Sequence, residues 1–359
     1  MTTKQPIWAW LVPVLALGCQ VVAMVAGVGP CLALLCGIAL GGAVLVAVHH
    51  AEVVAHRVGE PFGTLVLALA VTAIESSLIL SMMFSGGQDM AVLARDSIYA
   101  AVMIICTGVV GSCLLMGALA HREQTFRVEG ARAGLAALFV LASLSLVFPA
   151  FTTSTPGGTY SSSQLVFVAI SSAVLWAVFV FVQTVRHRDY FIPEPNSSDP
   201  EAHAAPPTVA QTWASFGLLL LSLSIVVGLA KKLSPTIEKA VAKANAPRAV
   251  VGIVIAGLVL LPETWAAVRA ARANRLQTSM NLAVGSALAT IGLTVPLVVI
   301  AASFFHLPLV LGLSSKEMAL LALTFLVSAV TLGTGRTYLM QAAVHLVLFA
   351  AYLFFAFVP

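Results

Sequence analysis

The sequence predicts an all-α polytopic membrane protein with about eleven transmembrane helices, arranged as one extra helix and two inverted five-helix repeats. Composition is the first reason: 60% of the residues are hydrophobic and only 9% are charged, against roughly 25% charged residues in a soluble domain. The second reason is that the apolar residues form runs of about 20, the length at which a helix crosses a bilayer. The third is a spacing of acids and prolines that both halves of the chain share.

The apolar runs define the predicted spans. A polar linker rich in proline, serine and acids, residues 187–212, separates two groups of five spans, and one span precedes them. We therefore expect an extra first helix in residues 1–28, a first repeat in 29–186 and a second repeat in 213–359. The predicted spans are 7–28, 31–48, 61–84, 96–120, 133–151, 163–186, 213–230, 247–271, 278–304, 316–333 and 337–358.

The composition excludes several other classes of protein. Eleven spans leave no room for a separate soluble catalytic domain, and a net charge of +4 without a large basic patch argues against a nucleic-acid partner. The five cysteines lie inside apolar runs without metal-binding spacing, so we expect them to pack and expect no resident cofactor. The expected partner at this point is the lipid bilayer, and formation of a homo-oligomer stays open.

Basic residues in the predicted loops indicate the orientation. With a cytoplasmic N-terminus, eleven Lys and Arg residues lie on the cytoplasmic side and seven on the other, and the positive-inside rule favours this orientation. The C-terminus is then outside, and repeats of five helices must run in opposite directions. Transporters of this architecture bind substrate near the bilayer midplane. The eleven are Lys4, Arg57, Arg122, Arg127, Arg132, Arg186, Arg188, Arg269, Arg272, Arg275 and Arg336. The seven are Arg95, Lys231, Lys232, Lys239, Lys243, Arg248 and Lys316.

The shared spacing indicates an internal duplication. In each half an acid lies nine residues before a proline that opens a span. These pairs are Glu52 with Pro61 and Glu238 with Pro247. A second acid, Glu75 or Glu263, follows the proline by 14 residues in the first half and by 16 in the second.

Glu75 and Glu263 are the two acids that fall well inside predicted spans. A charge at the bilayer centre costs from about 2.5 kcal/mol upward, so such a residue is a functional-site hypothesis. We predict that a pseudo-twofold axis brings the two carboxylates together, where they bind either protons or a cation. The alternative is a structural role in which a backbone or serine group satisfies each acid. His345, a lone histidine in the last span, is expected to be satisfied structurally.

Residues near the two acids are further candidate ligands. Ser97 and Ser286 follow the acids by 22 and 23 residues, although small-residue helix faces also serve packing. Pro262 cannot donate a helical hydrogen bond, which frees the carbonyl oxygen of Leu258. Such an oxygen suits Ca²⁺, Na⁺ or K⁺, and a simple helix kink is the alternative.

Five residues are predicted to line the entrances for cations and protons. His49, Glu52 and His56 share one helical face at i, i+3 and i+7. They lack the HExxH order of a zinc peptidase, so we favour an amphipathic interfacial helix that gates the cavity over a metal site. Glu238 has the corresponding place in the second half. Asp96 lies at a predicted helix N-terminus, where it either caps the helix or handles cations.

Three stretches resemble a known transporter family: AHRVGEPFGTLVLALAVTAIE (55–75), ARDSIYAAVMI (94–104) and LLPETWAAVRAARANRLQTSMNLAVGSALATIGLTVP (260–296). The chain resembles the calcium/cation antiporter superfamily, and within it the bacterial ChaA-type calcium/proton antiporters, over nearly its whole length. The resemblance implies an exchanger in the bacterial inner membrane that moves Ca²⁺, and in this branch also Na⁺ or K⁺, outward against protons. By position, Glu75 and Glu263 correspond to the paired acids of the two alpha repeats of this superfamily.

The chain departs from the superfamily pattern just before each acid. The wider superfamily has a Gly-Asn pair four and three residues before it, where this chain has Val71 and Thr72, and Val259 and Leu260. Two side-chain oxygens are therefore missing; Thr72 is counted as a candidate ligand, and monovalent exchange stays open. The alternatives are a cation channel and, less favoured, an intramembrane metalloenzyme that uses His49, Glu52 and His56. Neither predicts equivalent acids in two inverted halves.

Overall fold

A computed structural model describes residues 6–59, 62–86, 91–191, 207–243, 247 and 249–358. Most of the predicted linker, residues 192–206, lies outside these ranges. Within them the chain is helical apart from turns, the loops 151–161 and 306–314, and one antiparallel two-stranded ladder, which pairs β1 (Gln124–Thr125) with β2 (Arg336–Thr337). The helices are α1 (Trp8–Ala26), α2 (Pro30–Val58), α3 (Phe62–Gly86), α4 (Leu93–Met103), α5 (Val110–His121), α6 (Val128–Ala142), α7 (Ser162–Phe181), α8 (Val209–Lys243), α9 (Ala249–Arg272), α10 (Leu276–Phe305), α11 (Ser315–Leu332) and α12 (Leu339–Phe357).

These helices account for the predicted spans. α4 and α5 form one continuous span, and ten of the described segments are long and apolar enough to cross a membrane. α3 is 25 residues long; at about 1.5 Å per residue it is longer than the ~30 Å hydrocarbon layer. The predicted all-α polytopic fold of about eleven spans is therefore confirmed, whereas the residue boundaries of the two repeats stay a prediction.

The fourth span contains a π-helical segment at its centre, Ile104–Val109, which we call the π-turn. It joins α4 to α5, and all six of its residues are buried. A π-turn has i→i+5 hydrogen bonds and shifts the hydrogen-bond register of the backbone. The side chains before and after it therefore point in directions that an unbroken α-helix would not give them.

The described residues form two compact units, of which the first contains α1, α2, α3 and α8. α2 packs against the other three helices. Its buried face includes Ala43, Ala47 and Ala51, and side chains this small permit the close approach of helices in a membrane. Gly59 ends α2 with φ 76°, a left-handed conformation that favours glycine.

α2 and α8 are each one continuous helix, which corrects two predicted boundaries. The sequence predicted spans at 31–48 and 213–230, with a separate interfacial helix after the first. Instead α2 has 29 residues and α8 has 35. At about 1.5 Å per residue they are roughly 44 and 52 Å long, well beyond the ~30 Å hydrocarbon layer. The segment from His49 to His56 is therefore the end of the membrane helix and not a separate element.

The second unit contains α4 to α7, most of α9, and α10 to α12. α10 lies at its centre, where it contacts α4, α5, α6 and α7. Its buried side chains, such as Ala287, Leu288 and Ile291, belong to the hydrophobic core. α7 approaches α10 closely at Gly292, because a Cβ on this glycine would lie only 2.5 Å from the Cβ of Trp176.

Three turns of the second unit are tied together, and we call them the clasp. The ladder of β1 and β2 joins the α5–α6 turn to the α11–α12 turn. Gln124 Nε2 donates hydrogen bonds of 2.9 Å to the Ala271 carbonyl and to Asn274 Oδ1, at the α9–α10 turn. Asn274 has φ 58°, a left-handed conformation that asparagine tolerates. The clasp thereby fixes the turn that positions α9 against α10.

We expect Gly292→Ala to lower the midpoint of thermal unfolding in detergent. The added methyl group would push α7 away from α10, and overpacking of this kind costs about 1–3 kcal/mol. Gly285→Ala is a matched control on the same helix, since no atom of a neighbouring helix lies within 4 Å of its Cβ position. The control should leave the midpoint unchanged or raise it, and equal losses in both variants would contradict the described packing.

Candidate functional site

Glu263 and Ser286 meet in the interior of the second unit. Glu263 lies nine residues before the end of α9 at Arg272, and Ser286 lies ten residues after the start of α10 at Leu276. The short turn between the helices therefore brings the two residues to the same depth. The Ser286 hydroxyl donates a hydrogen bond to Glu263 Oε2, and each residue is only 8% exposed.

A small cavity lies beside this pair. The volume open to the centre of a water-sized sphere is about 10 Å³, close to the minimum that holds one water molecule. Thr264 also lines it, and the Thr264 hydroxyl donates to the Leu260 carbonyl at 2.7 Å. The apolar lining consists of Ile105, Val109, Leu260, Ala267, Leu282 and Ala283. One carboxylate and two hydroxyls thus face a space that fits a single small ion.

Glu75 lies on α3 in the first unit and is 2% exposed. Thr72 and Ser76, three residues before it and one after it, are buried as well. Residues three apart lie on one face of a helix, so Thr72 and Glu75 share a buried polar face in an otherwise apolar span. Both acids that the repeat singled out are therefore buried in membrane-spanning helices, and their joint action stays a prediction.

The structure does not bring Leu258 to the cavity at Glu263. α9 continues through Pro262, so the Leu258 carbonyl lacks the backbone donor that an ordinary residue would supply at that position. Leu258 is half-buried, and it is absent from the described residues that line the cavity. Its role as a cation ligand stays a prediction without geometric support.

Asp96 and Ser97 are both buried near the start of α4. Arg95 Nη2 lies 2.7 Å from Asp96 Oδ1, so this carboxylate has an adjacent compensating charge. The N-cap position of α4 is Val92 and makes no side-chain capping bond, so the capping alternative for Asp96 is wrong. Neither Asp96 nor Ser97 is among the described residues that line the cavity at Glu263.

The predicted entrance residues of α2 do not form a metal site. The His49 ring packs against Trp8, with ring centroids 4.9 Å apart, whereas Glu52 and His56 are exposed. Among the described residues no group of three His, Cys, Asp or Glu side chains is arranged to hold a metal ion. Glu238 lies in α8, and its side chain is outside the described part. Gating by these residues stays a prediction.

Two features of the site were not predicted from the sequence. The first is the π-turn, which contributes Ile105 and Val109 to the cavity. The second is Thr264, whose position directly after Glu263 could have indicated it. His345 is fully buried and bonded to Cys106 and Thr331, so the prediction that it is structurally satisfied is confirmed.

A buried carboxylate beside an ion-sized cavity, in an all-helical protein of about eleven spans, defines a multi-pass membrane transporter. The chain belongs to the sodium/calcium exchanger protein family, whose model matches residues 28–185 and 214–358. It is therefore a membrane antiporter rather than an enzyme, and the metalloenzyme alternative is set aside.

Similar proteins are known from several bacteria. The chain is 46% identical to a putative ionic transporter y4hA of Sinorhizobium fredii, over 99% of this chain and 97% of that protein. It is 38% identical to the sodium-potassium/proton antiporter ChaA of Escherichia coli, over 85% of this chain and 83% of that protein. The family resemblance of the three sequence stretches is thus confirmed over most of the chain.

Solved structures share the fold at low sequence identity. The chain superposes on native YfkE with a TM-score of 0.74 at 17% identity, over 98% of this chain and 100% of that one. It superposes on the H⁺/Ca²⁺ exchanger CAX with a TM-score of 0.74 at 15% identity, over 98% of this chain and 89% of that one. At this identity the likeness shows the fold alone.

We expect Ser286→Ala to weaken cation binding by about ten- to a hundredfold, because a hydrogen bond to a charged group contributes roughly 1.5–3 kcal/mol. Isothermal calorimetry of the purified protein with Na⁺, K⁺ and Ca²⁺ in turn measures the change. Ser303→Ala, an exposed serine on the same helix, is the control and should bind as the unaltered protein does. Unchanged affinity in Ser286→Ala would exclude this residue from the site.

Proposed function

We propose that this protein exports Ca²⁺, Na⁺ or K⁺ across a bacterial inner membrane in exchange for protons. The observation that supports this most directly is the Glu263 carboxylate, buried on a membrane-spanning helix beside a cavity with room for one small ion. The E. coli relative is named a sodium-potassium/proton antiporter, and this name supports the same proposal. A more distant relative from Aphanothece halophytica, 23% identical, is named a Ca²⁺/H⁺ antiporter.

The chemistry of exchange follows from the cost of a buried charge. An ionised carboxylate in a site of low dielectric constant is unstable unless a proton neutralises it or a cation pairs with it. The two ions therefore compete for Glu263, and the site is stable when either one is bound. A site that changes its access only when neutralised exchanges one ion for the other and does not leak.

We propose that Glu75 takes part in the same exchange. The two acids occupy equivalent places in the duplicated sequence, and both are buried. A cation bound on the cytoplasmic side would displace protons from the carboxylates, and protons arriving from outside would displace the cation. The orientation assumed here, N-terminus inside and C-terminus outside, rests on the eleven-to-seven distribution of basic residues in the loops.

The oxygen ligands around Glu263 are compatible with either a monovalent or a divalent cation. Ca²⁺ prefers six to eight oxygen ligands, as a rule including carboxylates and carbonyls. The described lining has one carboxylate and the hydroxyls of Thr264 and Ser286. A monovalent ion that keeps part of its hydration needs fewer protein ligands, which is why Na⁺ and K⁺ are proposed together with Ca²⁺.

Everted membrane vesicles test the proposal. When an acidic interior has been established, adding Ca²⁺, Na⁺ or K⁺ should release protons from vesicles that contain this protein, over pH 7 to 9. A cation channel would instead give a current that the cation gradient alone drives, without proton movement. If none of the three cations moves protons, the protein is not a cation/proton antiporter.

Glu75→Gln and Glu263→Gln should each reduce proton release to the level of vesicles that lack the protein. Glutamine keeps the size of the side chain and its hydrogen bonds but cannot exchange a proton for a cation. Glu129→Gln, an exposed acid in the first turn of α6, is the control and should keep full activity. Full exchange by either buried-acid variant, at equal amounts of folded protein, would rule that acid out.

A further inference from the structure

The π-turn forms part of the cavity wall at Glu263. Ile105 and Val109, four residues apart, both line the cavity, while the residues between them are buried in the core. π-turns frequently occur at functional sites, since the shifted hydrogen-bond register re-aims side chains. The width of the cavity therefore depends on where the backbone of this turn lies.

A buried histidine holds the turn in place. His345 Nδ1 lies 2.8 Å from the Cys106 carbonyl in the middle of the π-turn, and because a carbonyl only accepts, Nδ1 is the donor. On the other side of the ring, Nε2 lies 3.1 Å from the Thr331 hydroxyl of α11. In the neutral ring this nitrogen accepts the hydroxyl proton. His345 thus links α12 and α11 to the turn through two hydrogen bonds.

Close packing reinforces this link. A Cβ on Gly111 would lie 3.0 Å from Leu346 and 3.1 Å from the Cβ of His345, and a Cβ on Gly108 would lie 3.2 Å from the Phe349 ring. α12 consequently rests directly on the backbone at and after the π-turn. Protein interiors are packed as densely as organic crystals, so a shift of α12 here displaces the turn.

We propose that His345 is a positioning residue that determines cation preference at Glu263. It holds the Cys106 carbonyl, the carbonyl fixes the π-turn, and the π-turn sets how far Ile105 and Val109 reach into the cavity. With room for about one water-sized species, a small displacement of this wall changes which ionic radius fits. The inference rests on the proposed function, because it assigns the transported ion to this cavity.

Loss of the histidine removes the donor that α12 supplies to the Cys106 carbonyl. A lost hydrogen bond to a buried carbonyl is unfavourable, so the π-turn would move toward a register in which backbone groups bond this carbonyl. Such a change rotates Ile105 and Val109 away from their present positions. The preference between small and large cations should then change, while Glu263, Thr264 and Ser286 keep their chemistry.

The test is the ratio of apparent KM values for K⁺ and Na⁺ in the vesicle assay. We expect His345→Leu to change this ratio by about three- to tenfold, the equivalent of one lost hydrogen bond, with a smaller effect on the maximal rate. Thr331→Val, which removes only the second hydrogen bond, should change it in the same direction. His345→Gln should restore the original ratio, since its amide can donate to Cys106 and accept from Thr331.

Ser328→Ala is the control, because it removes a buried hydroxyl of α11 for which the described residues offer no hydrogen-bond partner. It should leave the ratio unchanged. An unaltered ratio in His345→Leu, or an equal change in His345→Gln, would overturn the inference; if His345→Leu does not fold, Thr331→Val decides the question.

A wild-type protein that moves no protons with any cation contradicts the proposed function instead. In that case the ratio of dissociation constants for K⁺ and Na⁺, measured by calorimetry on the same variants, decides the role of His345.

Discussion

A carboxylate inside the hydrocarbon layer has to be protonated, hydrogen-bonded or paired with a cation, and much of the second unit serves this requirement for Glu263. The α9–α10 turn brings the two helices together at matching depth, so that Ser286 can donate to the acid. α10 in turn packs among four neighbouring helices, which keeps both residues away from solvent. Ile105 and Val109 of the π-turn complete the surroundings. Helix lengths, turn geometry and core packing are in this way parts of one arrangement around a single acid.

The buried acids differ in what balances their charge. Asp96 has the Arg95 guanidinium within 2.7 Å, so its charge is compensated inside the protein whatever ion is present. Glu263 is hydrogen-bonded to a neutral hydroxyl, and among the described residues it forms no ion pair. A hydroxyl stabilises a carboxylate without cancelling its charge. The remaining charge has to be met by a proton or a cation, and for this physical reason the proposed exchange is assigned to Glu263 and not to Asp96.

Much of this arrangement was accessible from the sequence, and the parts that were not share a cause. Spans are recognisable because the bilayer demands long apolar runs, and Glu263 is recognisable because acids inside such runs are rare. The length of α2 was underestimated because polar residues after an apolar run do not end a helix, whereas Gly59 does. The π-turn and the His345 bonds escaped prediction because a change of backbone hydrogen-bond register, and contacts between distant helices, leave no local pattern in the residues themselves.

The clasp also constrains the number of membrane crossings between its turns to be even. Four helices, α6 to α9, separate its first turn from its second, and two, α10 and α11, separate the second from the third. Only an even number of crossings returns a chain to the same surface, so the hydrogen bonds among these turns agree with one crossing per helix. This parity condition is independent of hydropathy. A membrane-impermeant reagent that labels any one of the three turns therefore reports the sidedness of them all.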